Sequence, residues 1–136
     1  MLKNMADRGH YYTKPCIIHH SDGTTETVDV QCIKLAQMYD FVWGNVIKYL
    51  WRYRGKNGVE DLYKALDYAE SATIEPSDGS HGSEDALHEE YATIYGITEA
   101  GAMPTEEEHA WLSILEGNRD LVVEWLKKLI YRVESE

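Results

Sequence analysis

The sequence predicts a mainly α protein, a compact helical domain with a β-hairpin at its N-terminal end. Three observations carry that reading. Two β-branched runs flank a turn signal near the start, apolar residues recur at helical spacing beyond residue 30, and strong helix starts and stops punctuate the rest. At 136 residues the chain has the size of one domain with one core, taken as 1–136. A hydrophobic fraction of 43% and a mean hydropathy of -0.48 are those of a soluble globular protein.

The hairpin is expected over residues 10–30. PCIIHH and TTETVDV suit strands, and Ser21-Asp22-Gly23 between them is a turn in which Gly23 can take positive φ. His19 and His20 then point to opposite faces and cannot grip one metal. His10, His81, His88 and His109 are scattered, and no His or Cys stands at zinc spacing, so no structural zinc site is expected. Cys16 and Cys32 read as reduced, buried small side chains.

Residues 30–72 read as helices. Ile33, Ala36, Gln37, Asp40 and Phe41 give a faint i, i+3/i+4 pattern. Gly44-Asn45 then punctuates the chain, with Asn45 as the N-cap of a helix running to about Arg54. Gly55-Lys56-Asn57-Gly58 is a turn, and Leu62, Ala65, Leu66 and Ala69 form the apolar stripe of the helix after it. Residues 73–83 are rich in Pro, Gly and Ser and read as a flexible connection.

The stretch 84–136 reads as an acidic helical extension. Pro104-Thr105 followed by Glu106, Glu107 and Glu108 is a strong helix start, because carboxylates favour the positive end of the helix dipole. Gly117-Asn118 breaks that helix. Leu121, Val122, Trp125, Leu129 and Val133 then repeat at helical spacing, with Lys127, Lys128 and Arg132 toward the negative dipole end. The Glu89-Glu90 and Glu106–Glu108 runs read as a solvated acidic face, and Trp111, Trp125 and Tyr131 as core or subunit interface. Ten Tyr and four Trp against one Phe favour half-buried surfaces and subunit contacts, so a homo-oligomer is expected.

Charge is distributed unevenly along the chain. The formal net charge is -11, yet residues 34–64 hold six basic and three acidic side chains, while 65–136 hold four basic and seventeen acidic. So acidic a molecule repels DNA and membrane surfaces, and no apolar run approaches the roughly 20 residues of a membrane span. The N-terminus lacks the apolar stretch of a secretion signal, so a cytoplasmic location is expected.

The basic segment GNVIKYLWRYRGK places Asn45, Lys48 and Arg52 on one helical face, at i, i+3 and i+7. Cations among Trp and Ile side chains suit a small phosphorylated ligand, whose charge-assisted hydrogen bonds are worth about 1.5–3 kcal/mol each where water is scarce. Tyr49, Trp51 and Tyr53 are the aromatics nearest that stripe for stacking a base. Lys56 adds a further cation at the turn. Against this stands the plain alternative that Arg52 pairs with Glu60 or Asp61 of the next helix, or that the cations lie on a solvated face. Asp61 and Asp67 are the carboxylates placed to act as a base or a metal ligand. Arg54 and Lys56, at a helix end, read as exposed. No GxxxxGK[ST] phosphate loop is present.

His10-Tyr11, then GNVIKYLWRYRGKNGVEDLYKALDYAE at 44–70, resembles a family of small bacteriophage proteins catalogued as domain of unknown function 3310 and labelled nucleotide-kinase-like. The family pattern is HY near the N-terminus, GNxIKYLxR, a Gly/Lys turn and EDLxKAxxYL; Asp67 stands where its usual Trp precedes the last Tyr. The resemblance covers a core at about 10–72 and leaves out the acidic extension. It implies a phage protein acting in the infected cell's cytoplasm. The family includes a viral kinase of deoxynucleoside monophosphates, so the resemblance implies a nucleotide ligand, with Mg2+ accompanying it.

Two functions are therefore expected as alternatives. In one, Asn45, Lys48, Tyr49, Arg52 and Lys56 hold a nucleotide or other phosphorylated small molecule, and Asp61 or Asp67 positions a metal or the attacking hydroxyl for phosphoryl transfer. In the other, a non-catalytic phage protein sequesters a nucleotide signal or binds a host protein through its acidic helices.

Overall fold

A computed structural model describes residues 12–76 and 84–136, with the side chains of 84–88 outside the description. His10, Tyr11, His81, the side chain of His88 and most of the expected connection fall outside the described residues. Strands β1 (Thr13–His19) and β2 (Thr25–Gln31) pair antiparallel, with Cys16 opposite Val28. Gly23 takes φ +89° at the turn, and the Asp22 carboxylate accepts from the Thr24 N–H at 2.9 Å. These are the local bonds that make an Asx turn.

The helices are α1 (Cys32–Ala36), α2 (Phe41–Arg52), α3 (Val59–Ser71), α4 (Glu84–Ala100), α5 (Thr105–Leu115) and α6 (Arg119–Glu134), with a 3-10 turn at Tyr53–Gly55. The mainly α architecture with its hairpin is thus present. Helices α2 and α3 lie side by side and bury Val46, Ile47 and Leu50 together with Leu62, Ala65 and Ala69. Helix α4 packs on β1, and α6 joins α3 to α5. Trp51 of α2 meets Trp111 of α5 edge-to-face at 6.0 Å, both buried, which ties the basic segment to the acidic one. Cys16 and Cys32 are free and buried.

Four local expectations are corrected. Helix α2 begins at Phe41, five residues earlier than expected, because Asp40 rather than Asn45 is its N-cap and accepts from the Trp43 N–H at 2.9 Å. Asn45 sits inside the helix and its amide donates to the Phe41 carbonyl at 2.8 Å. Gly44 is a contact rather than a break, since a Cβ there would stand 3.1 Å from the Ala36 carbonyl oxygen. Ile33 and Phe41 are no apolar stripe; they are 59% and 77% exposed. In α6 the buried positions are Val122, Leu126, Leu129 and Ile130, while Trp125 is partly exposed and stacks on His109 at 4.4 Å.

Candidate functional site

Because Gly44 admits the end of α1 so close to α2, the two helices and the start of β1 enclose a cleft of about 520 Å³. That volume falls within the roughly 300–1,000 Å³ of small-molecule sites. Its walls are largely apolar, with Ile33, Ala36 and Phe41 on one side and Cys32 on another. Its polar lining includes Tyr12, Asp40, Asn45 and Lys48, the last two one turn apart on α2. Lys48 has no carboxylate within ion-pair distance among the described residues, and its ammonium lies 5.0 Å from the centre of the Tyr49 ring.

Arg52 stands one turn deeper and is held differently. It is 8% exposed; its Nε and Nη2 donate to the two oxygens of Asp61 at 3.2 and 3.1 Å, and Nη1 donates to the Tyr12 hydroxyl at 2.8 Å. Asp61 is fully buried and also accepts from the Asn57 backbone N–H at 3.4 Å. Desolvation works to lower the Arg52 pKa, but the hydrogen bonds it donates to Asp61 and Tyr12, with their charges, outweigh it and raise the net value. Of the sequence alternatives for Arg52, pairing with Asp61 is the arrangement found.

The other singled-out residues are dispersed. Tyr49 does not line the cleft; its ring stacks on Tyr68 at 6.0 Å and is flanked by Lys48, Arg52 and Lys64. Lys56 and Asp67 are exposed and stand apart from the cleft lining. Trp51 and Tyr53 are buried in the core and offer no ring to a ligand. His19 meets Glu99 at 2.7 Å and His20 meets Glu26 at 3.0 Å, separately as their opposite strand faces require. Among the described residues no three His, Cys, Asp or Glu side chains gather as a metal site.

Sequence reasoning missed two features. One is the apolar half of the cleft, whose only signal was the isolated Phe41 beside an otherwise Tyr-rich set. The other lies in the acidic runs expected on a solvated face: Glu90 is buried there and so, fully, is Glu107. Its carboxylate accepts from the Tyr53 hydroxyl at 2.7 Å, from Trp111 Nε1 at 3.2 Å and from the Arg54 guanidinium. Arg54 is therefore tethered, not a free helix-end cation. Cys32, in the cleft wall, has its thiol pushed up to about 12 by burial, with Lys14, Lys48 and Arg52 pulling the other way.

Residues 10–70 match the family described as protein of unknown function (DUF3310), a segment that contains the whole cleft lining and ends within α3. No curated protein and no solved structure matches the chain.

Proposed function

We propose that this protein binds a nucleotide or another phosphorylated small molecule in the cleft between α1 and α2. The observation that carries the proposal is the pairing of an apolar cavity with Lys48, a cation without a carboxylate partner among the described residues. The apolar lining residues Ile33, Ala36 and Phe41 would take the base, and Lys48 with its helix neighbour Asn45 would take the phosphate. Arg52 contributes through position: bound to Asp61 and Tyr12, it holds the cleft wall rather than meeting the ligand directly.

The carboxylates favour binding over phosphoryl transfer. Asp61 is turned to Arg52, Asp67 lies on an exposed stretch of α3, and Asp40, which does line the cleft, is engaged by the Trp43 N–H as the cap of α2. A nucleotide-sequestering role, in the phage setting that the resemblance implies, therefore fits these residues better than catalysis does.

Calorimetric titration of the intact protein with a panel of nucleoside mono-, di- and triphosphates tests this. At least one should bind, and Lys48→Ala should weaken it roughly 10- to 150-fold, the range of one lost charge-assisted hydrogen bond. A panel without binding at millimolar concentration, or an unchanged affinity in Lys48→Ala, would overturn the proposal. Release of phosphate or a phosphorylated product during titration would restore the kinase reading.

A further inference from the structure

Strand β2 is the outer strand of the hairpin. Its main contacts are with β1 and with the α1 helix that continues it, and Thr25, Glu26, Thr27, Asp29 and Gln31 are all exposed. The hydrogen-bond phase of the hairpin follows from its two ends. His20 N donates to the Thr24 carbonyl at 2.8 Å and Cys32 N to the Tyr12 carbonyl at 2.7 Å. In the observed register, pairs at every second position share that phase, so Glu26, Val28 and Val30 direct their N–H and C=O groups to β1. Thr25, Thr27, Asp29 and Gln31 consequently direct theirs outward, along an edge that pairs with no other strand among the described residues.

That edge carries two of the usual devices against pairing, the exposed carboxylates Glu26 and Asp29, and lacks the others. Thr25–Gln31 contains no proline and no lysine, and its register with β1 is continuous, without a bulge. A two-stranded sheet is marginal alone, whereas four strands are a common size.

We infer that β2 pairs antiparallel with β2 of a second copy of this chain, about a twofold axis at Val28, to make a four-stranded sheet across the dimer. Centring on Val28 sets Thr27 opposite the partner's Asp29 and Thr25 opposite the partner's Gln31, so all four outward-facing residues find hydrogen bonds. It also sets Glu26 opposite the partner's Val30, so that no like charges face each other. Moving the axis to residue 29 would oppose the two Asp29 carboxylates, and moving it to residue 27 would leave Gln31 without a strand partner. Like charges directly opposite are destabilising, which selects the central register. The inference rests on strand geometry and does not depend on what the cleft binds. It does bring the partner's hairpin turn toward Gln31, which lines the cleft mouth.

Sedimentation equilibrium of the full chain over micromolar to submillimolar concentrations should give a dimer. Thr27→Asp places a like-charge pair at two symmetric positions and should raise the dissociation constant roughly 2- to 30-fold, and Thr27→Arg should lower it by a similar factor. Within its own hairpin Thr27 faces Ile17, so neither substitution opposes a charge in the monomer. Should Thr27→Asp fail to fold, Thr27→Arg decides alone. A monomer at every concentration, or a dimer whose dissociation constant does not respond to Thr27→Arg, overturns the inference.

Discussion

Arg52 and Asp61 form a two-point ion pair between the last turn of α2 and the first turn of α3, nine residues apart and closed off from solvent. With the Tyr12 hydroxyl on the far side of the guanidinium and Asn57 on the carboxylate, the pair joins the start of β1 to the α2–α3 hairpin. Stripping one member leaves the other as an uncompensated buried charge. Arg52→Ala should therefore cost about 3–5 kcal/mol of unfolding free energy, read from urea midpoints. A loss below about 1 kcal/mol would show that the pair is dispensable. For the same reason a ligand-binding test belongs on Lys48, since an Arg52 substitution would confuse lost affinity with lost fold.

The buried Glu107 carboxylate is a second junction, here between the end of α2 and α5. Glu107→Ala would leave the Tyr53 hydroxyl, Trp111 Nε1 and Arg54 without their common acceptor, and should destabilise by about 3–5 kcal/mol. Glu107→Gln retains an acceptor oxygen but removes the charge facing Arg54, so its cost should be smaller than that of the alanine variant. Equal midpoints for the two variants in thermal unfolding would show that charge alone matters there.

How far the sequence could be read divides along local and long-range lines. Gly23 marked its turn, and the Leu62, Ala65, Leu66 and Ala69 stripe marked α3, because each signal lies within one turn or one helix. Gly44 misled, since a glycine required by the nearness of the Ala36 carbonyl looks in sequence like a helix break. The Glu106–Glu108 run misled too: only its central member turns inward, toward Tyr53 and Arg54 some fifty positions earlier. No periodicity in either segment reports that meeting. At the site, Lys48 and Asn45 were legible as a basic face, whereas the wall at Ile33 and Phe41 exists only once α1 folds against α2.

Gly96 lets α4 lie against β1. A Cβ there would run into Cys16 Sγ and stand 2.8 Å from the Ile17 carbonyl oxygen, so a methyl group cannot enter without moving the helix. Gly96→Ala should lower stability by about 1–3 kcal/mol despite the better helix propensity of alanine. Adding Cys16→Ala removes the sulfur but not the carbonyl, so the double variant should recover only part of the loss. Full recovery in a double-mutant cycle would place the whole conflict on the sulfur.

Alkaline stability provides the last test, and its sign follows from groups that burial holds protonated. Cys32 is raised from 9.0 to about 12 by desolvation, and Cys16 is raised for the same reason. Tyr53 is pushed above its ordinary 10.0, first by burial and then by the Glu107 carboxylate. In each case the unfolded chain gives up its proton at lower pH than the folded one does. The folded state then binds more protons, and stability falls as pH rises. For Cys32 that contribution is complete below pH 9 and is lost between pH 9 and about 12. Lys14 works in the opposite direction: burial lowers its pKa, so the folded state sheds that proton first and gains relative stability as pH climbs toward 10.5. Three groups of one sign against one of the other predict a net alkaline loss. Urea unfolding at pH 8, 10 and 11 should show stability declining, and Cys32→Ala, though less stable at pH 8 through its cavity, should decline less steeply. Parallel declines for the two proteins would mean that the Cys32 thiol ionises in the folded state as readily as it does in the unfolded chain.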